Sequence, residues 1–143
     1  MATTRAAITG PLIIDASVAA SWLLDDEDEP YTDTTFTRLR VVGGLIPRFW
    51  EIEIRNVLLY SERRNRITPT AVERGLADLA ALPIDTDDGL DLDVTYNSAR
   101  AHRLTFYDAI YLELALRRNV VLATLDKELA SAAATESLLM TTN

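Results

Sequence analysis

Short apolar runs alternate along the chain with longer stretches in which apolar residues recur every three or four positions. Leu12-Ile13-Ile14 reads as a buried strand ending at Asp15, and a helical pattern follows from Ser17 to about Leu24. A second helix is expected after Pro30. Gly43-Gly44 turns into a short strand, Leu45-Ile46, stopped by Pro47, and Phe49 to Arg64 is again helical. Thr68-Pro69 places a capping hydroxyl just before a proline at the first helical position, so a helix starts there and runs to about Leu82. Pro83-Ile84-Asp85 is a weak strand. Helices then cover roughly Leu90 to Arg103 and Phe106 to Arg118. Val120-Val121-Leu122-Ala123 is the clearest later strand, followed by a helix from Lys127 and a last strand at Ser137 to Met140. This alternation predicts an α/β fold: a parallel sheet covered by helices on both faces. Open sheets of this kind bind ligands beyond the carboxyl ends of their strands. No repeat or linker divides the 143 residues, so residues 1–143 are expected to form one domain.

Composition narrows the chemistry. The chain has no cysteine and a single histidine, His102. Thiol nucleophiles, zinc ribbons and iron–sulfur clusters are excluded, and a Ser-His-Asp triad or a multi-histidine metal site falls far back. Acidic residues outnumber basic ones by 22 to 14, for a net charge of -8. Such a surface repels nucleic acid unless the contact is local or bound cations neutralise part of the excess. All the basic residues but Lys127 are arginines, a bias that suits forked phosphate contacts and that a GC-rich coding sequence would equally produce. No stretch approaches the roughly 18 to 20 apolar residues of a membrane span, and Met1 to Leu12 has no signal-type apolar core. The expected location is cytoplasmic, with no membrane partner.

Four carboxylates stand out by position. Asp15 and Asp126 each follow a strand, on the ligand-binding edge, where both also suit the N-cap of the next helix, as Ser17 does. At roughly 100° per residue, Phe49, Trp50, Val57 and Tyr60 lie within about 60° of Glu53, while Glu51 lies about 160° away. Glu53 therefore falls in the apolar stripe, where it must be paired, coordinated or protonated; a salt bridge to a nearby arginine is the plain alternative. Asp108 repeats the pattern, flanked by Thr105, Tyr111, Leu112 and Ala115, though Thr105-x-x-Asp108 also has capping-box spacing. Asn56, one turn after Glu53, is either a supporting donor or a polar group at a helix edge. Carboxylates without histidine or cysteine select hard cations, Mg²⁺ or Mn²⁺. The natural chemistry for such a set is metal-assisted attack of water on a phosphodiester.

The strand 12–17, the run from Pro47 to Leu58, the segment Thr105 to Ala115 and Leu122 to Lys127 resemble, in order and spacing, the four motifs of PIN-domain ribonucleases. More narrowly, they resemble the VapC toxins of type II toxin–antitoxin systems. The resemblance implies that Asp15, Glu53, Asp108 and Asp126 form an acidic quartet that binds Mg²⁺ or Mn²⁺. Asp15 and Asp108 would be central, and Glu53 and Asp126 would complete or orient the site, partly through water. It implies supporting roles for Ser17, Thr124 and Asn56. It further implies a three-layer fold with about five strands in the order 3-2-1-4-5, a homodimer, endonucleolytic cleavage of RNA, and a VapB-like antitoxin that wraps the toxin. The sequence departs from the family at Arg55, where a small residue is frequent and an extra ion pair or an RNA contact is expected. It departs again in the acidic run Asp25 to Glu29, expected to be a solvated turn.

Counting the four site carboxylates as neutralised brings -8 to -4. Arg63, Arg64 and Arg66 follow Glu53 along its helix, and Arg117 and Arg118 end the helix of Asp108. Helix C-termini explain these placements, and RNA contact is the alternative. Trp22, Phe49, Trp50, Phe106, Tyr107 and Tyr111 read as core or dimer interface, and His102 as an ordinary surface residue. Competing functions are a PIN-like module that binds RNA or protein without cutting, and a housekeeping RNA-processing nuclease. A receiver-type phosphoacceptor would need paired acids after the first strand and a lysine after the last, and the chain has neither.

Overall fold

The computed structural model describes residues 10–24 and 30–142. Among these residues, four parallel strands, β1 (Leu12–Ile14), β2 (Gly44–Pro47), β3 (Ile84–Asp87) and β4 (Leu122–Ala123), form a sheet in the order β3-β2-β1-β4. Among the described residues, seven helices flank it: α1 (Ala16–Leu24), α2 (Pro30–Val42), α3 (Phe49–Arg63), α4 (Pro69–Ala80), α5 (Leu92–His102), α6 (Phe106–Arg118) and α7 (Lys127–Thr135). The acidic run 25–29 lies outside the described residues, as do residues 1–9. Among the described residues, no helix is long and apolar enough to cross a membrane.

β1 is fully buried and sits between β2 and β4, which is why its three residues are all aliphatic. Ile13 pairs with Leu45 on one side and with Leu122 on the other, and Ile14 pairs with Ala123. The turn into β2 depends on Gly43, whose φ of 86° lets its N–H close on the Leu39 carbonyl at 2.8 Å and end α2. Thr68 caps α4 by accepting from the Ala71 N–H at 3.1 Å, and Pro69 opens that helix, as its sequence demands.

The expected fifth strand is reduced to one parallel bridge, Leu122 to Leu139, on the outer side of β4. The Leu122 N–H donates to the Leu138 carbonyl at 2.7 Å and the Met140 N–H to the Leu122 carbonyl at 2.8 Å. β4 is only two residues long, so it has a single pair of edge groups to offer. It is shorter than expected because the Val120 N–H still bonds back to the Ala115 carbonyl of α6, beyond a left-handed Asn119. α6 is buried at every position from Ala109 to Ala115 and lies against β2, β4, α5 and α7. It is a central helix, not an amphipathic one.

Candidate active site

β1 and β4 are neighbours, so the residues that follow them meet. The Asp15 N–H reaches the Ala123 carbonyl at 3.2 Å, which sets the Asp15 carboxylate beside Thr124. Asp15 is almost fully buried, 4% exposed. Its Oδ1 accepts from the Ser17 hydroxyl at 2.6 Å and from the Val18 N–H at 3.1 Å, and its Oδ2 accepts a short hydrogen bond from the Thr124 hydroxyl. Both hydroxyls also accept: Ser17 from the Leu125 N–H at 3.1 Å, Thr124 from the Asp126 N–H at 3.0 Å. Two hydroxyl bridges thus lock the β1–α1 turn to the β4–α7 turn around one carboxylate. Asp126 caps α7, its Oδ1 accepting from the Leu129 N–H at 2.8 Å.

Glu53 comes from α3 and Asp108 from the first turn of α6. The buried stripe of α3 runs through Trp50, Ile54, Leu58 and Ser61, while Tyr60 is exposed. Glu53, expected within the apolar stripe, is half-buried at the margin of the buried one. The difference arises because this margin of the helix is the wall of a cleft. Glu53 Oε1 accepts from the Tyr111 hydroxyl at 2.6 Å. Among the described residues, its hydrogen-bond partner is therefore a phenol and not an arginine guanidinium. Thr105 caps α6 by accepting from the Asp108 N–H at 3.1 Å, and its side chain also hydrogen-bonds the Asp108 carboxyl, at the edge of the cleft.

All four carboxylates line one cleft of about 460 Å³, together with Ser17, Ser21, Arg66 and the apolar side chains of Ala20, Leu24, Val57 and Leu125. Their charges act on one another. Burial, then the negative charges of Asp126 and Asp15, push the Asp108 carboxyl up to about 6. Glu53 is raised by burial and further by Asp15, Asp108 and Asp126, against the opposing hydrogen bond from Tyr111. Asp15 is raised by burial, which outweighs the hydrogen bonds from Ser17, Thr124 and Val18. A cleft of this kind favours a cation or a proton. Asn56, by contrast, is exposed on α3 and is not among the residues lining the cleft.

The other polar candidates have structural partners. Arg55 binds Glu51 one turn earlier, at 2.9 Å. Arg117 and Arg118 converge on Asp87 at the end of β3, and Arg117 also chelates Glu113. His102 binds Glu136 at 2.9 Å. α3 ends one residue sooner than expected, with Arg64 over the Tyr60 ring at 4.5 Å from its centroid. Of the aromatics, Trp50 and Tyr111 are core, whereas Tyr107 is exposed and stacks on Phe49 at 5.0 Å.

Residues 12–134 match the model of the PIN domain family. The chain belongs to the PIN domain family. Over 131 residues it is 29% identical to Ribonuclease VapC3 of Mycobacterium tuberculosis, in strains CDC 1551 / Oshkosh and ATCC 25618 / H37Rv. That match covers 90% of this chain and 93% of the relative. The crystal structure of PAE2754 from Pyrobaculum aerophilum is similar with a TM-score of 0.69 and 25% identity, over 88% of this chain and 87% of that one.

This PIN domain's donor set can be weighed against the cation that the family implies. Among the described residues, the side-chain donors that the cleft offers a cation are carboxylate and hydroxyl oxygens, which suits Mg²⁺ or Mn²⁺. Among the described residues, no three acidic or histidine side chains are already gathered as an ion would require. The donors fit by kind and by shared cleft, and binding must draw them together. The sequence reading missed Tyr111 as a partner of Glu53. Its spacing of three from Asp108 puts it on the same face of α6, a signal that was available.

Proposed function

We propose that this chain acts as a single PIN domain that cleaves RNA internally with the help of Mg²⁺ or Mn²⁺, as the toxin of a toxin–antitoxin pair in the cytoplasm. The observation that carries the reading is the convergence of Asp15, Glu53, Asp108 and Asp126, from four separate segments, on one cleft at the carboxyl edge of the sheet. The likeness to a protein named Ribonuclease VapC3 supports it.

Asp15 and Asp108 would hold the cation, with Glu53 and Asp126 completing or orienting the site. A bound divalent cation supplies an activated water and neutralises charge on the phosphodiester. The chain's own residues do the rest. Ser17 and Thr124 fix the Asp15 carboxylate by donating one hydrogen bond to each of its oxygens. The α7 cap holds Asp126 by one oxygen. Arg66 also lines the cleft. With His102 engaged by Glu136, no imidazole serves as general base. The resemblance to PIN-domain ribonucleases implies a 5′-phosphate and a 3′-hydroxyl as products. A VapB-like antitoxin would act by obstructing this cleft. A homodimer is part of the proposal, supported by the exposed apolar side chains Leu92, Val94 and Tyr96 on α5.

The test is to incubate the purified chain and its Asp15→Asn variant with structured RNA in Mg²⁺ or Mn²⁺, and again in EDTA. Cleavage that needs both the metal and Asp15 is the expected result. RNA binding that survives EDTA with no cleavage would instead make the domain a binding module. Growth arrest on expression, relieved by a co-expressed antitoxin, separates a toxin from a housekeeping nuclease.

A further inference from the structure

Tyr111 has no part in the chemistry proposed above, yet it is placed where that chemistry would be set up. It lies on α6 one turn after Asp108, its side chain is buried, and its hydroxyl donates to Glu53 Oε1 at 2.6 Å. Because Glu53 belongs to α3, this bond joins the two helices that bring half of the acidic set to the cleft.

Glu53 has reason to leave. Three other carboxylates line the same cleft, and its three rotatable bonds allow rotamers that point to solvent. A donor fixed in the core selects the inward rotamer. The kind of donor matters as much as its position. A guanidinium or ammonium would hold Glu53 as firmly, but it would cancel the negative field and compete with a cation for the same oxygens. A phenol is neutral, donates one proton and engages Oε1 alone, so the carboxylate keeps its charge. The ring itself is 1% exposed and packed within the core, so the donor is held rigidly.

The geometry points to Tyr111 as the positioning residue that holds Glu53 inside the cleft and presents it to a divalent cation. This inference rests on the metal-dependent reading above.

The experiment compares Mn²⁺ affinity, by calorimetry on the full chain without RNA, for the native protein, Tyr111→Phe, Glu53→Gln and the double variant. Tyr111→Phe should weaken Mn²⁺ binding about tenfold, in the range set by partners of metal ligands. The double variant should bind as Glu53→Gln alone, because the phenol acts only through Glu53. Native-like affinity in Tyr111→Phe overturns the inference, and so does a full further tenfold loss in the double variant. A native protein that binds no Mn²⁺ overturns the metal-dependent reading itself, a result visible before any variant is compared. Should Tyr111→Phe fail to fold by circular dichroism, Tyr111 labelled as 3-fluorotyrosine keeps the phenol in place. Its ¹⁹F resonance should shift on Mg²⁺ addition in the native chain and stay fixed in Glu53→Gln. A resonance indifferent to Mg²⁺ in the native chain counts against the role.

Discussion

Asp15 shows why a helix cap and a site residue are not rival readings. One of its oxygens accepts from the Val18 N–H and caps α1, and the other is held by Thr124. The positive end of the helix that needs a cap also steadies the charge of a carboxylate aimed at the cleft. Asp108 gives a sharper test, because burial and its acidic neighbours outweigh the one hydrogen bond, from Thr105, that favours its charged form. Its carboxyl is raised from the usual 3.8 to about 6, so the folded chain holds this proton more tightly than the unfolded one. Its contribution to stability is therefore fully present below about pH 4 and lost as pH rises through 6. The full shift corresponds to about 3 kcal/mol, and solvent screening of a half-exposed group reduces that to about 1 kcal/mol. Asp108→Asn should accordingly raise metal-free stability by about 1 kcal/mol at pH 8, with the gain narrowing toward pH 4, while cleavage is abolished. Urea unfolding across that pH range checks the first effect and an RNA assay the second. A variant that is less stable than the native chain at pH 8 would remove the electrostatic account, and retained cleavage would remove Asp108 from the site.

At the scale of elements, α6 is anchored at both ends. Its first turn carries Asp108 to the cleft, its second brings Tyr111 to Glu53, and its last turn is tied to the sheet by Arg117 and Arg118. Arg117 bonds Glu113, whose side chain is 1% exposed, and Asp87, whose side chain is 8% exposed. Sequence reasoning held these arginines open for RNA, but their charge is spent on the end of β3. Asp87 is held well below the usual carboxylate range, above all by Arg117. The sign is opposite to that of Asp108: the tie stabilises the fold above about pH 4 and is lost as acid protonates Asp87. Arg117→Ala would leave Glu113 buried without its partner, the expensive way to break a buried pair. A loss of about 2 kcal/mol in urea unfolding at pH 7 is expected, less than for a fully buried pair because Arg117 is partly exposed. Metal affinity should be unchanged, since neither Arg117 nor Glu113 lines the cleft. Unaltered stability would show that Arg118 alone suffices to hold β3.

For the whole molecule, the net charge of -8 and the uncovered apolar side chains are the features to explain. α5 exposes Leu92, Val94 and Tyr96, with Asp91 and Asp93 at its start and Arg100 near its end. Two such helices set antiparallel about a twofold axis would cover the apolar side chains and match acid to base at each end. That self-complementarity is what a symmetric dimer requires. Sedimentation equilibrium should therefore find a dimer that Tyr96→Glu converts to monomer without loss of helix content. A native monomer, or a variant that remains dimeric, would assign the contact to another face or to a different partner.

The order of strands and helices was legible in the sequence because it rests on local physics: apolar runs of strand length, helical periodicity, Gly43 and the Thr68-Pro69 start. The four carboxylates were legible because each stood at a strand end or on a helix face turned from solvent, and because their motifs resemble those of a family to which the chain belongs. Tertiary structure decided what depends on neighbours distant in sequence. It shortened β4 and reduced the last strand to one bridge, because edge pairing is limited by how much strand the neighbour offers. It set Glu53 at the margin of its buried stripe, because the stripe is defined by what α3 packs against and not by the helix alone. It left Asn56 outside the cleft and sent Arg117 and Arg118 to β3. Above all it chose the partner of Glu53. A carboxylate in an apolar pattern must be satisfied by something, and only the packing of α6 against α3 could supply a phenol 58 residues away.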